Sequence, residues 1–124
     1  MKSYWRLAAA ALLIIPLAAR AEDRPTFESL WQAANAKPDH HTVDQGTAIV
    51  VDVPSEQAIY YFTKPGQEIH PGVVKRSIIE KDGGIYVSTR GWSFGPDSAQ
   101  PAFKRWLDNF KAQDAQIRKS FEKR

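Results

Sequence analysis

The chain has 124 residues, 17 Lys and Arg against 14 Asp and Glu, and no cysteine. That length holds one domain with an ordinary apolar core, and the missing cysteines exclude a disulfide framework. The formal charge of +3 resides in Lys2, Arg6 and Arg20; the other 14 cations balance 14 acids, so no nucleic-acid partner is expected from a chain with no surplus to displace phosphate counterions.

Lys2 and Arg6 precede an apolar run from Leu7 to Ala19, which closes on Ala19-Arg20-Ala21. A positive start, a short apolar middle and small residues at the −3 and −1 positions describe a secretory signal peptide cut before Glu22. The run is interrupted by Pro16 and falls short of the roughly 20 apolar residues that a spanning helix needs. Without a cysteine to acylate, no lipid anchor of that kind is expected. The expectation is a bacterial envelope protein, periplasmic or secreted, whose working part is one domain over residues 22–124.

After the cut, Thr26 or Asp23 can cap a short helix, with Pro25 tolerated at its start. Phe27, Leu30, Trp31 and Ala34 fall at i, i+3, i+4 and i+7, and Lys37-Pro38 ends the pattern. Asp39 to Gly46 reads as a polar loop. Its Asp39-His40-His41 and Asp44 raise the question of a metal, but adjacent histidines point apart and zinc wants three or four ligands, so no metal is assigned.

From Thr47 the composition turns β-branched and aromatic. Thr47–Val53 and Gln57–Thr63 flank Pro54-Ser55-Glu56, and Val73–Lys81 and Gly84–Trp92 flank Asp82-Gly83, a strong hairpin signal. The connection from Lys64 to Gly72 carries two Pro-Gly pairs and reads as successive turns. Four strands with short links pair as an antiparallel meander. A two-residue turn at Asp82-Gly83 sets Val73 opposite Trp92 and Lys75 opposite Arg90. It also puts Ile78, Ile85 and Val87 on one face, and Val73, Ile79, Tyr86 and Trp92 on the other.

The last stretch is the clearest helix: Phe103, Trp106, Leu107, Phe110, Ile117 and Phe121 project within about 60° of one direction. Asp97 with Gln100 suits a capping box, or Gln100 precedes Pro101 as the first helical residue. Asp114 falls inside the apolar stripe, where a lone carboxylate is costly; a helix overhanging the sheet explains it more simply than a cationic partner. The fold class expected is α+β: a four-stranded antiparallel meander sheet flanked by a short N-terminal helix and a longer C-terminal amphipathic helix. Both sheet faces are apolar, and the long helix covers one. The short helix covers the other, or a second copy does as a homodimer.

A meander brings the loop over 64–72 and the segment over 91–98 to one end of the sheet. Glu68, His70, Arg90, Trp92, Phe94 and Asp97 then form a candidate ligand-binding set of an acid, an imidazole, a guanidinium and two aromatics. The chain has no cysteine and no serine in a nucleophile elbow, so no catalytic residue and no cofactor are assigned. The expected function is non-catalytic binding of a protein or cell-envelope ligand through these loops. Two alternatives are a small hydrolase with Glu68 orienting His70, and a membrane-surface protein using the basic C-terminal helix. No motif assigns the chain to a family residue by residue.

Overall fold

A computed structural model describes residues 24–122. The signal peptide expected over residues 1–21, its cut before Glu22, the alternative cap Asp23 and the side chain of Phe121 lie outside what is described. Helix α1 (Phe27–Ala36) leads into strands β1 (His41–Asp44), β2 (Ile49–Val53), β3 (Ala58–Phe62), β4 (Gly72–Lys81) and β5 (Gly84–Ser93), and the chain closes on helix α2 (Gln100–Glu122). The strands form one antiparallel sheet in the order β1-β2-β3-β4-β5.

The sheet therefore has five strands, not four. The additional strand, β1, lies in the segment expected to be a loop. All four of its residues are exposed, so no buried alternation marks it. It exists by pairing with β2, Thr42 against Val51, through a tight turn in which Gln45 N donates to Ala48 O and Asp44 accepts the Gly46 amide. Gly46, at φ 86°, takes the left-handed conformation that this turn requires.

The β4–β5 hairpin turns through Asp82 and Gly83 at φ 53° and 78°, the two left-handed residues of a type I′ turn. Its register sets Val73 against Trp92 and Lys75 against Arg90, as that turn requires.

Thr26 caps α1 reciprocally with Ser29: each side chain accepts the other's backbone amide, at 3.0 and 2.8 Å. The helix lays Phe27, Leu30, Trp31 and the buried Ala34 on a sheet face made by Val51, Val53, Tyr60, Phe62 and Val73. Phe62 is fully buried, and the rings of Phe27 and Trp31 meet it edge-on at 5.6 and 4.9 Å. This face is covered only in part. Past α1, Ile79 and Tyr86 remain 44% and 40% exposed.

Helix α2 packs on the opposite face. Two glycines let it approach: a Cβ on Gly72 would stand 2.7 Å from Phe103 Cε1, and one on Gly91 would stand 2.9 Å from Leu107 Cδ1. Phe110 lies over Tyr61 with ring centroids 4.6 Å apart. The helix begins at Gln100, with Pro101 in its first turn. The expected Asp97–Gln100 capping box is replaced by a 3₁₀ turn over Asp97–Ala99, in which the Gln100 backbone N–H donates to Asp97 O while its side-chain Nε2 donates to Ser93 Oγ.

The overhang expected at Asp114 is also corrected. Asp114 faces Arg76 of β4, with Nε and Oδ1 3.3 Å apart, and accepts the Thr89 hydroxyl. Arg76 Nη2 donates to Phe110 O at 2.7 Å and to Gln113 Oε1 at 3.1 Å. Strand length explains the difference. The ten residues of β4 run about 30 Å, whereas α2 has advanced only about 21 Å when it reaches Asp114, so the sheet still lies beneath it. Among the described residues no helix is long and apolar enough to cross a membrane.

Candidate functional site

The two loops meet as the meander requires: Phe94 N donates to Pro71 O at 2.9 Å. The six residues expected to form a site are nevertheless divided by α1. On its helical wheel Ala34 points straight at the sheet, Leu30 lies to one side, and Trp31 and Glu28 lie to the other. Each side borders its own groove.

On the Trp31 side a groove of about 250 Å³ is lined by Phe27, Glu28, Trp31, Phe62, Thr63 and His70. His70 is half-buried, its ring edge-on to Phe27 at 5.3 Å and its Nδ1 2.8 Å from Thr63 Oγ1. The buried Thr63 hydroxyl also accepts the Gly72 amide at 2.8 Å, which fixes the imidazole to the start of β4. Glu68 is exposed and makes no hydrogen bond or ion pair among the described residues, so it does not orient His70. Asp97 is exposed at the start of its 3₁₀ turn, and Phe94 packs against the core.

On the Leu30 side lies the larger groove, about 440 Å³, walled by Pro25 and Leu30 and floored by Lys75, Ser77, Ser88, Arg90 and Trp92. The floor residues belong to a longer ladder of cross-strand pairs on one face: Val73–Trp92, Lys75–Arg90, Ser77–Ser88 and Ile79–Tyr86. The Arg90 guanidinium stacks 5.0 Å from the Trp92 ring centroid. Lys75 leans the other way, 5.1 Å from the Tyr60 ring and 4.0 Å from Glu56 Oε1. Tyr60 donates its hydroxyl to Glu56 at 2.8 Å; burial, then the Glu56 carboxylate, hold its pKa well above the usual phenol value, so it stays a neutral donor.

The structure thus brings Arg90 and Trp92 together and adds Lys75, Ser77, Ser88, Pro25 and Leu30, none of which the sequence reasoning placed in a site. A signal existed for Lys75: the register that pairs it with Arg90 is the one read from Asp82-Gly83.

The acids and histidines before β2 are engaged separately. Asp39 accepts Ser55 N at 2.6 Å and Ser55 Oγ at 2.9 Å; desolvation pushes its pKa up, but these bonds outweigh it and leave the value below the usual carboxylate range. Asp44 is also lowered, by the Gly46 amide first and then by Lys64, whose Nζ lies 3.0 Å away. His40 Nδ1 sits 2.6 Å from Lys37 O. Among the described residues no three His, Asp or Glu side chains converge as a metal site would need.

A third groove, about 240 Å³, lies on the α2 face between Ile59, Ile78, Val87 and Ile117, with Arg76 at its wall.

No protein-family model, curated protein or solved structure matches this chain.

Proposed function

We propose that this chain is a non-catalytic, exported envelope protein that binds a protein or cell-envelope ligand on the sheet face divided by α1. Binding uses the loops over 64–72 and 91–98 together with the β4 and β5 residues beside them. The observation that carries the reading is the open groove holding Lys75, Arg90 and Trp92, where two cations, an aromatic ring and two serine hydroxyls converge from separate strands. Such a surface supplies charge, stacking and hydrogen bonds to a ligand. Turnover needs more, namely an activated nucleophile or an acid and base within hydrogen-bond reach of one another. The Glu68–His70 pair that a hydrolase would use has no such contact. Export rests on the character of residues 1–21, and a homodimer through the exposed Ile79 and Tyr86 belongs to the same proposal as an additional partner.

The test is amide chemical-shift mapping of the isotope-labelled protein against three envelope fractions: digested cell wall, lipid vesicles and extracted envelope protein. Shifts clustered at His70, Gly91, Trp92 and the Trp92 indole with one of the fractions support the reading. Shifts confined to the outer face of α2, or none with any fraction, refute it.

A further inference from the structure

We infer that the β4–β5 ladder beside α1 is a track for a carboxylate-bearing saccharide chain, an inference that rests on the binding function proposed above and names its ligand class. The first argument is electrostatic. Lys75 and Arg90 are directly opposed on adjacent strands, an arrangement in which like charges repel at Cβ separations of about 5 Å. Lys75 turns toward Tyr60 and has Glu56 as its counterion at 4.0 Å, whereas Arg90 turns onto Trp92 and has no acidic partner among the described residues; no acid lines the space between the two cations. A carboxylate there would give Arg90 a counterion through a guanidinium fork that suits its planar geometry, with Lys75 on the facing strand as a second cation beside it.

The next rung fixes the rest of the ligand. Ser77 and Ser88 face each other, and neither hydroxyl bonds to another protein group among the described residues. Each donates and accepts, as sugar hydroxyls do. Beyond them come the exposed Ile79 and Tyr86, with the Arg118 guanidinium 4.8 Å from the Tyr86 ring. From Trp92 to Ser88 the groove spans four residue steps of strand, about 13 Å, room for linked sugar units and more than a single small ion needs.

A peptide fits less well. Extended peptides bind sheets by adding to an edge, where backbone donors and acceptors are open. Here the ladder lies on the side-chain face of β4 and β5; β5 is an edge strand, but its open backbone groups point outward in the plane of the sheet, so the track itself offers side chains only. A polyphosphate would call for a surplus of cations, which residues 22–124 do not have.

The experiment titrates the purified protein with tetragalacturonate, with neutral cellotetraose and with tetraglutamate, by calorimetry and by amide shift mapping. Tetragalacturonate should bind with shifts on residues 73–79 and 86–92. Arg90→Gln and Lys75→Gln should each weaken it at least tenfold while leaving the melting temperature near that of the parent, and cellotetraose and tetraglutamate should bind at least tenfold more weakly. Tetraglutamate binding as tightly as tetragalacturonate would overturn the saccharide assignment, and affinity unchanged in both variants would overturn the site. Absence of tetragalacturonate binding defeats this inference alone, because the envelope-fraction mapping decides the binding function separately.

Discussion

Replacing Asp114 with Ala removes one half of an ion pair whose side chains are only 10% and 16% exposed. Breaking a buried pair from one side costs about 3–5 kcal/mol, because the remaining charge is left without its counterion. Arg76 would keep its bonds to Phe110 O and Gln113 Oε1, and its Nε and Asp114 Oδ1, though 3.3 Å apart, are not aligned as a hydrogen bond. Both facts place the cost at the lower end, about 3 kcal/mol, which in a domain of roughly 100 residues lowers the melting temperature by about 12 °C or more. Thr89→Val, which deletes one hydrogen bond to the carboxylate, should cost about 1.5 kcal/mol. The double variant Arg76→Met with Asp114→Leu should return to within about 1 kcal/mol of the parent, since neither charge remains to be buried. Urea unfolding of the four proteins, with midpoints compared at constant slope, measures these three differences. A cost below about 1 kcal/mol for Asp114→Ala would refute the reasoning, since that is what an exposed ion pair is worth.

Gly91→Ala should destabilise by about 1–3 kcal/mol through overpacking, because its methyl meets Leu107 at 2.9 Å and Phe103 at 3.1 Å; chemical denaturation reads the loss. Phe62→Ala, at a fully buried ring held between Phe27, Trp31 and Tyr60, should cost about 3–5 kcal/mol and lower the melting temperature by about 12 °C or more. Asp39 and Asp44 have folded pKa values below their unfolded ones, so their stabilisation is present above the ordinary carboxylate pKa and is lost as pH falls through the folded values. Melting temperature should therefore drop on acidification below about pH 4, and Asp39→Asn with Asp44→Asn should flatten that dependence.

Local chemistry made most of this fold legible before the structure. Asp82-Gly83 dictates a two-residue turn, and from it the whole β4–β5 register follows by counting. The i, i+3, i+4, i+7 spacing of Phe27 to Ala34 did the same for α1. Strand β1 was hidden because an exposed edge strand carries no alternation; His41-Thr42-Val43-Asp44 becomes a strand only when β2 lies beside it. The partner of Asp114 was more accessible than it looked. Arg76 shares a strand face with the buried Val74 and the half-buried Ile78, so the same alternation places a guanidinium under α2. The candidate site was half legible for a related reason. Arg90 and Trp92 came from register, whereas the separation of His70 from them depends on where α1 crosses the sheet, which no local signal encodes.

Phe103 sits in the hollow over Gly72 and Gly91, and eleven residues later Asp114 meets Arg76. These two fastenings lie about 16 Å apart along one helix, so both engage only at a single axial setting of α2. A slide by one turn would unseat them together. Inserting or deleting one residue between them would rotate one fastening by about 100° against the other. The interval from 103 to 114 is thus fixed in length, while Lys104, Arg105, Asp108 and Lys111, on the exposed side, are free to drift in identity. In this helix spacing is under constraint where composition is not.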